Sequence, residues 1–333
     1  MSMLKKVPLL AIFSFWISVQ ASTPDIKEAM VVSFSGTVEI FTAVETETNL
    51  TGKSLVLFDG HKFISRRVQS GAKIHPGDIV RSGNDGKMKL VYSNGDVFIL
   101  GPATAFVIPA KIDKGSNASE VSSEVLYGKV RAVIDKKGPL SGFKIKTQSV
   151  VSGVRGTDLY VINDPLSKRT LVHVLRGEVE VQSVASLDKN SLGKGTSVFV
   201  KTGQKGVYDV KDSSSTEALQ IRIQSSTQQE LKQIQNTTTT PPPQIKDFSA
   251  EDKVKLDELL KNSQEKVMED IKQTTPEVFK SMQGKKVENL EAITQVMVQN
   301  LAKTAPNDSS KPKLSDFDKD EDIYKKYFKP VEK

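Results

Sequence analysis

The sequence predicts a mainly β unit, a rolled or solenoid-like stack of short strands, followed by a Pro/Thr linker and a C-terminal α-helical segment. Three observations carry that reading. From Met30 to Val210 the chain shows short runs of alternating apolar and polar residues punctuated by glycine. Asn236 to Gln244, NTTTTPPPQ, cannot build a core and reads as an extended, fairly stiff spacer. From Ser249 onward the apolar residues recur at helical spacing instead.

Ahead of the β unit, Lys5 and Lys6 precede an apolar run from Val7 to Val19, and Val19-Gln20-Ala21 supplies the small residues that a signal peptidase accepts. That run falls short of the roughly 20 residues needed to span a bilayer, and Pro8 and Ser14 interrupt it. Residues 1–21 are therefore expected to be a cleaved export signal, and no later stretch is long enough for a membrane span. The chain has no cysteine, which excludes disulfides, thiolate metal sites, a catalytic thiol and a lipidated Cys after the signal. Export without disulfides suits a bacterial envelope, so a periplasmic or secreted location is expected.

The net charge is +7, with 24 basic and 17 acidic side chains between Met30 and Val210. The excess thus belongs to the β unit, where a basic face would favour anionic envelope polymers or lipid headgroups. A solvated mixed surface is the plainer reading, and no nucleic-acid partner is expected.

Within the β unit, MVVSFSGTVEIFTA alternates through Val32, Phe34, Val38 and Ile40. Asn84-Asp85-Gly86 and Asn94-Gly95-Asp96 each fall between two strands, and such sequences favour hairpins because their residues tolerate positive φ. A short unit recurs at Gly36-Thr37-Val38, Gly128-Lys129-Val130 and Gly177-Glu178-Val179. Recurrence of a glycine turn that opens a strand suggests stacked rungs or a rolled sheet.

Thr216 to Gln235 is polar and Gln-rich, with helix expected toward its end, and residues 211–248 as a whole read as connection. Ser249 then caps an amphipathic helix with Leu256, Leu259, Leu260, Val267 and Ile271 near one face. Thr275-Pro276-Glu277 starts a second helix, with proline at its first position and a stripe of Phe279, Met282, Leu290, Ile293, Met297 and Leu301. The two helices, ending near residue 304, would pack as a hairpin or coiled coil, dock on the β unit, or offer a second contact or self-association. Residues 305–333 are charged and expected to be disordered.

Catalytic motifs find no support. His61, His75 and His173 lack partners at metal-ligand spacing and read as surface or satisfied core residues. Gly52-Lys53-Ser54 resembles the end of a phosphate loop, but Glu47 stands where that loop needs glycine. No Gly-x-Ser-x-Gly elbow is present. DFDKDED, Asp316 to Asp322, has Glu321 and Tyr327 where a calcium loop needs Gly and Glu. No cofactor, metal or enzymatic activity is expected.

VVSGVRGTDLYVI, Val150 to Ile162, places Gly153, Arg155, Gly156, Thr157 and Asp158 inside an otherwise apolar strand. A straight strand would put Arg155 on the face of Val151, Leu159 and Val161, and an unpaired buried guanidinium costs several kcal/mol. A bulge or tight bend at Gly156 would re-aim Arg155 and bring Asp158 near it. The expectation is a corner of the fold with Arg155 as an internal tie; a ligand or partner contact is the alternative.

That block, followed by TLVHVLRGEVEVQSV and VFVKTGQKGVYDV, resembles the FecR domain, whose members carry a Val-Arg-Gly-Thr stretch, a strand ending in Gly-x-Val and a Pro/Thr-Gly-Gln turn. Gly177, Gly203 and Gln204 stand at the second and third of these motifs. Upstream, IHPGDIVRSGNDGKMKLVYSNGDVFILGPATAFVI is similar to the family's Gly-Asp, Thr/Ser-Gly and Asp/Asn-Gly-Asp strands. The likeness covers Met30 to Val210 and implies a compact stack of strands on the outer side of a cytoplasmic membrane. The family's namesake relays an iron-siderophore signal from a transporter to a sigma factor, using a cytoplasmic segment and one membrane span. This sequence shows neither. The expected function is a non-enzymatic exported envelope protein whose β-domain binds a protein or envelope ligand, with the helical arm for a second contact or oligomerisation. A signal-relay regulator that senses a transporter or siderophore state, and a cell-wall polymer binder, are the alternatives.

Overall fold

The computed structural model describes residues 28–44, 50, 52–113, 119–136, 143–184, 197–209, 221–243, 248–285, 287, 289–307 and 320–331. The expected export signal lies outside them, as do Glu47 and most of the DFDKDED stretch. The first strands are β1 (Ala29–Ser35), β2 (Val38–Ala43), β3 (Ser54–Phe58), β4 (His61–Arg67), β5 (Lys73–Ile74) and β6 (Ile79–Ser82). Next come β7 (Lys87–Tyr92), β8 (Val97–Leu100), β9 (Thr104–Asp113), β10 (Ser119–Val133), β11 (Phe143–Lys146) and β12 (Val150–Val154). The β-domain closes with β13 (Asp158–Asp164), β14 (Arg169–Arg176), β15 (Glu178–Ser183), β16 (Ser197–Lys201), β17 (Gln204–Asp209) and β18 (Arg222–Ser225). Then follow α1 (Gln228–Thr238), α2 (Ala250–Thr274), α3 (Pro276–Met282), α4 (Leu290–Thr304), α5 (Asp320–Tyr327) and β19 (Phe328–Pro330).

The strands form one rolled sheet whose two leaves face each other. Sheet A runs β5-β1-β7-β8-β10-β13-β14-β17-β18, and sheet B runs β19-β3-β4-β2-β6-β9-β10-β11-β12-β15-β16. The pairing is antiparallel except between β10 and β11. Strand β10 serves both leaves: residues from Ser119 pair in sheet B, and those from Gly128 pair in sheet A.

Between the leaves lies a core that includes Val31, Ile40, Leu90, Phe98, Phe106, Val130, Leu159 and Val172. Sheet A carries a second apolar face, with Val32, Val91, Val97, Ile99, Tyr160 and Ile162 packed against the helices. Burial on both faces explains why Val97-Phe98-Ile99-Leu100 and Leu159-Tyr160-Val161-Ile162 are continuously apolar instead of alternating.

Glycines mark where the chain passes from one leaf to the other. Gly36 lies between β1 and β2, Gly128 within β10, Gly156 between β12 and β13, Gly177 between β14 and β15, and Gly203 between β16 and β17. At Gly128 φ is +89°, and a Cβ would sit 2.2 Å from the Ala103 carbonyl oxygen, so no larger residue fits. The recurring glycine unit is therefore a leaf crossing, repeated because the chain winds alternately through the two leaves. One expected hairpin differs. Asn94-Gly95-Asp96 does join the antiparallel pair β7 and β8, but Asn84-Asp85-Gly86 joins β6 of sheet B to β7 of sheet A. The turn residues are right for a reversal, yet they serve a crossing.

The segment expected to be a free spacer is docked. Asn236 to Thr238 finish α1, and Thr239 to Pro243 continue along sheet A. Thr237 Oγ1 meets Tyr160 Oη at 2.9 Å, and Ser33 Oγ donates to Thr240 Oγ1 at 3.1 Å. Threonine hydroxyls give this polar stretch specific anchors that composition does not display. The second expected helix is two, α3 and α4, broken after Met282 at Gly284 (φ +81°) and restarted by the Asn289 cap, whose side chain accepts from Ala292 N. The apolar stripes of α2, α3 and α4 join the second face of sheet A, so the helical segment packs on the β-domain and its stripe is not left open for self-association.

The tail is also ordered where disorder was expected. Within 320–331, α5 leads into β19, which pairs with β3 at the edge of sheet B, and Phe328 is buried against Phe41 and Phe58. Its four aromatic or aliphatic anchors, Ile323, Tyr324, Tyr327 and Phe328, outweigh the charge that dominates its composition.

Candidate functional site

The interrupted strand is a leaf-crossing corner. β12 belongs to sheet B and β13 to sheet A, and Gly156 (φ +65°) makes the turn beside Lys136, where an added Cβ would lie 2.7 Å from the lysine Cβ. Gly153 lies in β12 opposite Lys144 and Glu180. Thr157 is fully buried and its carbonyl accepts from Ile134 N at 2.8 Å. Gly177 packs against Thr157, while Gly203 and Gln204 sit at a separate crossing, where Gln204 Oε1 accepts from Lys201 N at 3.0 Å. Arg155 is exposed and is not the internal tie. Asp158 turns to the outer face of sheet A and takes a two-pronged pair from Arg131: Nε to Oδ1 at 2.8 Å and Nη2 to Oδ2 at 2.5 Å. The bend aims Arg155 at solvent, and the carboxylate finds an arginine 27 residues upstream.

That pair is one of a row. On the outer face of sheet A, Lys89 (β7), Arg131 (β10), Arg176 (β14) and Lys205 (β17) are all buried beneath the helices. Lys89 Nζ binds Glu291 of α4 at 2.6 Å, Arg176 pairs with Asp270 of α2, and Lys205 pairs with Glu230 of α1. Arg131 also donates to Thr294 Oγ1 of α4 at 2.9 Å. Four cations from the sheet thus meet groups from α1, α2 and α4, and the basic excess of the β unit is partly internal. Burial would raise the carboxyls of Glu230 and Glu291, but the charges and hydrogen bonds around them, Lys205 and Lys89 among them, hold both below the usual range. Burial pushes the Arg176 guanidinium below its ordinary value, with the Asp158 charge opposing.

Around Lys89 the layers separate into a cavity of about 610 Å³. Its floor is Val32, Ser33 and Lys89 of sheet A, one wall is the Pro241–Pro243 segment, and the other walls are α2, with Leu260 and Gln264, and the start of α4. The Lys89–Glu291 pair and the capped N-terminus of α4 supply polarity, while Leu260, Leu290 and the prolines supply apolar surface. Such a lining suits a ligand with an apolar body and a few polar groups. It offers the Lys89–Glu291 ion pair and the Asn289 cap. Sequence reading missed these residues because Lys89 in KMKLVY and Arg131 in GKVRAV alternate with apolar neighbours, as solvent-facing charges do. The only sign was the unbroken VFIL and LYVI runs, which demand cover on both faces.

His173 is fully buried, with Nδ1 3.0 Å from Ser226 Oγ, and burial holds its pKa down to about 4. His75 is exposed beside Glu28 and Asp78, and His61 is exposed at the start of β4. Among the described residues no cluster of His, Asp and Glu is arranged to hold a metal ion.

Residues 78–180 match the FecR protein family, a narrower span than Met30 to Val210 and one that runs from just before β6 into β15. No curated protein matches the chain. Two crystal structures of a candidate anti-sigma factor from Parabacteroides distasonis, at 1.65 and 2.50 Å, are each 11% identical with a TM-score of 0.33. Each alignment covers 44% of this chain and 59% of the other, so the chain spans less than two thirds of that protein. The family match falls on the strands and crossings that carry the Asn-Gly-Asp and Val-Arg-Gly-Thr motifs, and residues 78–180 of the chain are a FecR domain.

Proposed function

We propose that this protein is a non-enzymatic binding module of the bacterial envelope, in which the FecR domain and its own helical layer together form the site. The observation that carries this reading is the cavity between sheet A, the Pro241–Pro243 segment and α2 and α4. It holds a buried ion pair and apolar walls, which orient a ligand but do not transform it. An envelope location is supported by the family, and no described helix is long and apolar enough to cross a membrane. To test the reading, a photoreactive residue is placed at Leu260, on the cavity wall, and in a second variant at exposed Arg155, and the full chain is irradiated in envelope fractions. Adducts are expected at 260 and not at 155. Absence of adducts at 260, or equal labelling at both positions, would refute it.

The family match also favours a second reading, a FecR-type relay that senses a transporter or siderophore state. The intact mass of the mature chain separates the two, because a relay held by its N-terminal segment retains residues 1–21, whereas a chain starting near Ser22 has lost that anchor.

A further inference from the structure

Lys89 has hydrogen-bonding capacity to spare. An ammonium carries three donors, yet among the described residues Lys89 Nζ gives only one, to Glu291 Oε1 at 2.6 Å, with 6% of its side chain exposed. The other two are left for an occupant of the cavity that Lys89 lines. Further groups on the lining are half-used in the same way. Gln264 Nε2 donates to Val287 O at 3.1 Å, and no described residue bonds its Oε1. Asn289 Oδ1 caps Ala292 N, which leaves its Nδ2 as a donor. Lys87 holds the carbonyls of Asn236 and Thr239, but no described group donates to those of Thr240 to Pro243, and the three prolines have no N–H of their own.

The charges that line the cavity balance, Lys89 and Lys261 against Asp257 and Glu291. An anionic ligand would have to displace Glu291 from Lys89 or bring a third charge beside the pair without a counter-ion, which is costly away from water. A bare hydrocarbon chain would leave the Lys89 donors and the Gln264 acceptor covered and unpaired. What fits is neutral, carries both donors and acceptors, and brings apolar surface for Leu260, Leu290 and the prolines. A peptide backbone with apolar side chains meets all three demands. Resting on the binding-module reading above, we infer that the cavity accepts a short, extended, uncharged peptide segment of a partner protein. Its carbonyls accept from Lys89 and Asn289, its N–H groups donate to Gln264 Oε1 and to the carbonyls of Thr240 to Pro243, and an apolar side chain sits against Leu260 and Leu290.

The full-length chain is used to select from a phage-displayed library of random linear heptapeptides, with the Leu260→Trp chain, whose cavity is filled, as the control. Enriched sequences are remade with acetylated and amidated ends and titrated by fluorescence anisotropy. The expected sequences are uncharged and apolar. Their affinity should fall about tenfold or more with Lys89→Met or Gln264→Leu, and likewise when a central peptide residue becomes Asp or Lys. Salt should change it little, because no net charge is neutralised on binding. Circular dichroism confirms that each variant is folded, and Gln264→Leu on the half-buried wall carries the test should Lys89→Met not fold. No enrichment over the Leu260→Trp chain overturns the inference, as does enrichment of acidic peptides whose binding is lost in salt. A lipid or glycan mass in the adducts formed at photoreactive position 260 overturns it too while the binding module stands; absence of any adduct there removes the module as well.

Discussion

Replacing Arg131 with alanine removes the only charge among the described residues that is bonded to both oxygens of Asp158, and leaves that carboxylate with 1% of its side chain exposed. Removing one member of a buried pair costs about 3–5 kcal/mol, because the remaining charge stays desolvated without its partner. Arg155 is exposed, and truncating a surface side chain changes stability by less than about 0.5 kcal/mol. Urea unfolding followed by far-ultraviolet circular dichroism distinguishes the two. With a slope of about 2–3 kcal/mol per molar, Arg131→Ala should lower the midpoint by roughly 1–2.5 M and Arg155→Ala should leave it in place. A third variant, Arg131→Met with Asp158→Leu, replaces both charges by apolar groups and should recover most of the loss. If Arg155→Ala destabilises as much as Arg131→Ala, or if the double replacement is no better than the single, the assignment of Asp158 to Arg131 is wrong.

Three further outcomes follow from particular residues. Gly156→Ala must hold φ +65° with its Cβ 2.7 Å from that of Lys136, and should lower thermal stability by more than 1 kcal/mol or so, whereas Gly153→Ala, whose nearest contact would be 3.8 Å away, should change it little in the same melts. Ile271, fully buried under the helical layer, should lose about 2–5 kcal/mol as Ile271→Ala in urea titrations, while Val254→Ala, 69% exposed on the same helix, should be near neutral. Asp96 is raised to about 6, chiefly by burial, although Asn94 and the Asp135 amide both donate to it. The fold therefore prefers its protonated form: the penalty of ionising it is absent near pH 4, grows as pH rises toward 6 and is complete above that, at about 3 kcal/mol. Relative to the parent, Asp96→Asn should gain stability as pH rises from 4 to 7 in parallel denaturation series, and a pH-independent difference would count against the shift. His173 has the opposite sign, its contribution being present above pH 6.5 and lost as pH falls toward 4.

Much of this molecule was legible before its coordinates. Alternation and glycine spacing are local properties, and they specified a strand-built unit and the position of its turns, Gly156 among them. Helical periodicity and caps are equally local, so α2 and the start of α3 could be read from Ser249 and Thr275-Pro276. Partner choice is not local. Nothing in VVSGVRGTDLYVI states that Asp158 will meet Arg131 and leave Arg155 in water, because that depends on which strand lies alongside. Nor does KMKLVY state that Lys89 will be buried, since a lysine alternating with apolar residues looks the same beneath a helix as it does in solvent. Composition likewise assigned the threonines before Pro241 to a spacer and the residues after Asp320 to disorder. Each segment carries a few well-placed groups, Thr237 and Thr240 in one and Tyr324 and Phe328 in the other, and these bind only because distant strands present a matching surface. Sequence by itself determined where the chain bends and which stretches are apolar; tertiary structure alone decided which charges are paired and which faces are covered, because burial is a property of the assembled layers.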